Sequence, residues 1–215
     1  MFGFRIHGGE LYHYNTNGDA MMALHMGILS TAICRILEEY KTWSKNIPTN
    51  CPPPIRIGHG IGFYNFLLND NKNLATKTTP PAAPRTLDDF RLRIRHALRL
   101  MKELRIPIEV NPTSNEYLQG TMQAGKAARM EGAYNPDLLY RLLKKKYCVV
   151  VCTDNDGIWP TGLTVTVGKE KVRYESVAAE LFRCVDGVNK DTLLQPIHIK
   201  ELLQNFQNAS FGKPN

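Results

Sequence analysis

No apolar run in this 215-residue chain approaches the roughly 20 residues needed to cross a bilayer. That speaks against a helical membrane span. The opening "MFGFRIHGGE" lacks a basic segment followed by a long apolar stretch, so no secretory signal is expected. Cysteine is scarce: 5 residues, an odd number without paired spacing. A disulfide framework is excluded on that count, and reduced thiols in a cytoplasmic protein are the expectation. Nor is there an internal repeat. The formal net charge is +7, which favours anionic partners in general. The basic residues, however, are spread along helical patterns such as "DDFRLRIRHALRLMKELR" and "LLYRLLKKK", with no aromatics interleaved. A solvated helix face explains them better than a nucleic-acid groove.

What is present is the composition of one ordinary globular domain, with 43% hydrophobic and 22% charged residues. Short apolar segments alternate with long helical ones. "FGFRI" (2–6), "IRIG" (55–58), "IPIEV" (106–110) and "YCVVVC" (147–152) are brief and apolar, and glycine, proline or polar residues bound them. Each predicts a buried strand. Between them, residues 19–41, 88–105 and 136–146 carry apolar positions at helical spacing, the last opening with Pro-Asp as a first helical turn does. A hairpin is expected in "LTVTVGKEKVRY", then helices near 175–184 and 198–207. Such alternation predicts an α/β fold with parallel strands. One polar stretch rich in proline and threonine, residues 69–86, reads as an exposed loop insertion.

In parallel α/β folds the reactive groups gather where strands end. Here the four strand ends read "HGGE", "HG", "NPTSN" and "TDND". A lone histidine is more often structural than a ligand, and Asp or Asn after a strand is an ordinary turn former. Four such endings in order are harder to assign to turns. Together they suggest metal-assisted hydrolysis. Imidazole and carboxylate are good zinc ligands, zinc activates water near neutral pH, and a further glutamate or histidine can move the proton. The Gly-Gly pair between His7 and Glu10 lets the backbone turn tightly between them.

The ordered set "IHGGE", "RIGHG", "IEVNPTSNEYL" and "VVVCTDNDG", with the ending "LLQNFQNASF", resembles the second half of the adenosine deaminase and AMP deaminase family. That family belongs to the metal-dependent amidohydrolases. The resemblance runs from residue 1 to about residue 211, across longer connections at 11–54 and 61–105. It implies a partial (β/α)8 barrel, strands 5–8 with their helices, over 1–215, and hydrolytic deamination of a purine nucleoside or nucleotide with Zn²⁺. His7 would be a zinc ligand, and Asp154 a second ligand that also contacts the attacking water. His59 would orient or deprotonate that water, and Glu10 would pass a proton to the purine ring nitrogen. Gly9 and Asn155 would face the substrate, with Ser114 and Asn115 as supports. Lys126 and Arg129 are candidates for a nucleotide phosphate, although solvated loop charge is the plainer reading.

The sequence also departs from the family. Asn155 stands where the family usually has a second aspartate, and Asp156-Gly157 where many members have proline. Base preference is therefore open. No His-x-His pair occurs, although the family takes two zinc ligands from such a pair on its first strand. The expectation is thus a deaminase C-terminal part, incomplete without the missing N-terminal half of the barrel. The alternative is a catalytically inactive remnant that serves as a binding or interaction module.

Overall fold

The structure, a computed structural model, describes residues 4–8, 18–46, 55–60, 63, 81, 83–114, 135–154, 163–174, 177–181 and 200–205. Four strands, β1 (Phe4–Gly8), β2 (Ile55–His59), β3 (Ile108–Val110) and β4 (Val149–Val151), form one sheet in the order β1-β2-β3-β4. Every neighbouring pair is parallel. The helices α1 (Gly18–Ser44), α2 (Leu87–Glu103) and α3 (Asn135–Lys144) follow β1, β2 and β3 in turn. The expected mixed α/β fold with a parallel sheet is therefore present. The hairpin is present too, as β5 (Leu163–Val167) and β6 (Glu170–Tyr174). Gly168 makes its turn at φ 66°, a conformation glycine adopts without strain. Residues 177–181 and 200–205 are helical, within the two C-terminal segments expected to be so.

The strand boundaries differ from expectation: β2 runs one residue further, to His59, and β4 is confined to Val149–Val151. β1 ends two residues later than expected, so His7 lies inside the strand, paired with Gly58, and not beyond its end. β3 begins after Pro107, which has no N–H to give the ladder, although its carbonyl accepts from Ile57 N at 2.9 Å. Of the expected loop insertion at 69–86, only residue 81 and residues 83–86 are among the described residues.

Successive strand residues point to opposite faces, and here the two faces have different chemistry. One face carries Ile57, Ile108, Val110, Val149 and Val151, buried with Met26, Ile33 and Leu37 of α1 and Ile94, Leu98 and Met101 of α2. Each such side chain contributes roughly 1.5–3 kcal/mol by leaving water. The alternating positions Arg5, His7, Arg56 and Glu109 fall on the other face. α1 and α2 pack closely, because a Cβ on Gly27 would lie 2.4 Å from the Cβ of Phe90. His96 and Glu38 join the same two helices at 2.8 Å. α2 starts at a capping box: Thr86 accepts from Asp89 N at 3.1 Å, and the Asp89 carboxylate accepts from Thr86 N at 2.9 Å. Among the described residues no helix is long and apolar enough to cross a membrane.

Candidate metal centre

Strand ends bring the chemistry together. His7 sits near the end of β1, His59 ends β2, and Asp154 follows β4. Ligand-capable atoms of these three lie within 4.8 Å of one another. His59 Nε2 is 3.3 Å from His7 Nδ1 and 3.7 Å from Asp154 Oδ2. Two imidazole nitrogens on one tetrahedral zinc ion stand about 3.3 Å apart, given bonds of ~2.0–2.1 Å. Burial graduates across the cluster: His59 is wholly buried, Asp154 half-buried and His7 exposed.

The backbone contributes to the placement. His59 (φ 67°) and Asp154 (φ 66°) both adopt the left-handed conformation, which costs a residue with a Cβ about 1–2 kcal/mol. Gly60 follows His59 at φ 66°, with Ile108 Cγ2 only 2.7 Å from where a Cβ would be. Two left-handed non-glycine residues in one cluster of three mark a site where conformational strain is tolerated for position.

Further residues hold the cluster in place. Ser114 Oγ donates to Asp154 Oδ2 at 2.8 Å. Arg5 Nη2 pairs with Asp154 Oδ1 at 3.0 Å, and Arg5 Nε pairs with Glu109. Arg56 reaches Glu109 Oε1 at 3.4 Å. Glu109, 3% exposed, therefore sits between two guanidinium groups. On the far side of His59, the amide nitrogen of Asn111 lies 3.3 Å from Nδ1. The turn bearing Ser114 is itself fixed, since the buried Glu180 accepts from Thr113 N at 2.8 Å and from Thr113 Oγ1.

Of the residues singled out in the sequence, His7, His59, Asp154 and Ser114 are brought together. Gly9, Glu10, Asn155, Asn115, Asp156, Lys126 and Arg129 lie outside the described residues. Sequence reasoning passed over Arg5, Arg56, Glu109, Asn111 and Glu180. A signal for the first three was present: each is a charge within a strand otherwise apolar, in "FRIH", "IRIG" and "IEV". Among the described residues the cysteines are free thiols. Burial pushes the Cys34 and Cys152 thiols up to about 12 and raises Cys148 as well.

No family model, curated protein or solved structure matches this chain.

Proposed function

We propose that this chain is the C-terminal part of a deaminase-like (β/α)8 barrel, and that it takes part in zinc-dependent hydrolytic deamination of a purine nucleoside or nucleotide. One observation carries the reading. His7, His59 and Asp154 converge at one edge of a parallel sheet, from the strand ends whose motifs resemble the adenosine and AMP deaminase family. Parallel strands in sequential order, the first three each followed by a helix, suit the barrel geometry. The donor set of imidazole and carboxylate, with Ser114 and Arg5 as outer partners of the carboxylate, suits zinc.

In this reading His7 and Asp154 hold the ion. Bound zinc supplies Lewis acidity and makes a water it holds far more acidic. His59, whose Nδ1 lies beside the Asn111 amide, would orient the attacking water or take up its proton. Glu10 delivers a proton to the purine ring nitrogen beside the attacked carbon. By the resemblance, Asn155 and Gly9 would be the residues that face the base. The carbon–amine bond breaks and ammonia leaves. The buried, high-pKa thiols suit the reducing cytoplasm.

A second reading has its own support. The Arg5 guanidinium pairs with Asp154 at 3.0 Å, so the carboxylate has a cationic partner within the chain itself, which suits a remnant serving as a binding module. Zinc content and ammonia release from adenosine separate the two readings. Both are measured on this chain alone and on this chain joined to a strand bearing His-x-His. Zinc uptake with ammonia release by the joined form supports the enzyme. A folded, zinc-loaded joined form that releases no ammonia from adenosine or AMP rejects it.

A further inference from the structure

The Asp154 carboxylate is divided between two partners. Oδ1 pairs with Arg5 Nη2 at 3.0 Å, while Oδ2 accepts from Ser114 and faces His59 Nε2 at 3.7 Å. Arg5 is well placed to hold this division. It lies on β1 two residues before His7, hence on the same face, and its side chain is 29% exposed. Its Nε is engaged by the buried Glu109, so the guanidinium has little freedom to leave. Glu109 in turn keeps Arg56 as a second partner.

We propose that Arg5 is a positioning residue that restricts Asp154 to one-oxygen metal coordination. The inference rests on the metal reading of the cluster. A carboxylate can offer a cation one oxygen or both. With Oδ1 committed to a guanidinium, only Oδ2 faces the histidines. Catalytic zinc keeps a coordination position open for water, and a two-oxygen aspartate would take up that position. The arrangement has a thermodynamic signature. Arg5 places a positive charge beside the ligand, so it opposes cation binding while shaping it. A residue that merely held the fold together would have the opposite effect on affinity when removed.

The test is titration of the full chain with Co²⁺, read by its visible absorption, in the wild-type, Arg5→Met and Arg5→Lys forms. Metal-free thermal melts are recorded alongside. Arg56 remains to pair with Glu109 in both variants. Arg5→Met is expected to bind Co²⁺ at least about tenfold more tightly than wild type. Its absorption bands should weaken, as they do when coordination number rises. Arg5→Lys, which keeps the charge, is expected to stay close to wild-type affinity. If Arg5→Met binds equally or more weakly with unchanged bands, Asp154 does not depend on Arg5 and the inference falls. Should Arg5→Met not fold, an Arg5→Lys form with wild-type melting but two-oxygen bands and tighter binding overturns the charge argument, and near wild-type behaviour upholds it. A wild-type chain that takes up no Co²⁺, either alone or joined to a strand bearing His-x-His, removes the metal reading itself, and the inference with it.

Discussion

His7 Nδ1 and His59 Nε2 stand 3.3 Å apart, at the ends of two neighbouring parallel strands. That distance suits two nitrogens about one small cation, and also a proton shared between rings. The two cases separate by mutation. His7→Gln and Asp154→Asn are expected to lower zinc affinity by more than the about 10–100-fold typical of outer partners. His59→Gln, acting as a proton carrier, should stay within that range. Equilibrium dialysis with zinc reads all three. An equal, large loss for His59→Gln would make it a ligand.

The charge pattern behind the cluster predicts a fold effect. Glu109→Ala leaves Arg5 and Arg56 without their shared carboxylate on a largely buried face. Stability should fall by about 3–5 kcal/mol, as when one partner of a buried ion pair is removed. Urea denaturation followed by circular dichroism measures it.

At the helix pair, Gly27→Ala is expected to destabilise, even though alanine favours helices. The new methyl would meet the Cβ of Phe90 at 2.4 Å, and a Cβ cannot rotate aside. Overpacking costs typically about 1–3 kcal/mol, outweighing the ~1 kcal/mol helix-propensity gain. The companion Gly27→Ala/Phe90→Ala variant would not relieve the clash, because alanine retains its Cβ, so its stability should not recover. Thermal melts of both forms decide the point.

The capping box gives a pH signature. Backbone N–H bonds from Arg85 and Thr86 hold the Asp89 carboxyl below its ordinary range. A depressed carboxyl contributes stability above its unfolded pKa of about 3.9 and loses that contribution as pH falls through the lower folded value. Thr86→Ala should cost about 1 kcal/mol near neutral pH. Asp89→Asn should flatten the acid limb of the stability curve. Melts between pH 2 and 7 distinguish the two variants.

The thiols provide a solution check on burial. Cys34 and Cys152, pushed up to about 12, and Cys148, also raised, should resist alkylation in the native chain at pH 8. Mapping of the alkylated peptides should show all three modified once urea is added. Rapid native labelling of Cys152 would mean that the face carrying the cluster is open to reagent.

Much of this was legible from one dimension. Brief β-branched runs mark β2, β3 and β4, the first two bounded by Pro or Gly, because buried parallel strands have no need of polar alternation. Their order, with long helical patterns between, dictates parallel pairing. His7, His59 and Asp154 stand out because strand ends are where a parallel sheet gathers side chains from distant parts of the chain. What sequence spacing does not contain is distance across the sheet. Only the register that pairs His7 with Gly58, and the left-handed turns at His59 and Asp154, bring three ligand atoms within 4.8 Å. Arg5, Glu109 and Asp154 are over a hundred residues apart at their extremes. Their ion pairs arise because the shared face of a packed sheet leaves a buried charge no partner but another strand's charge.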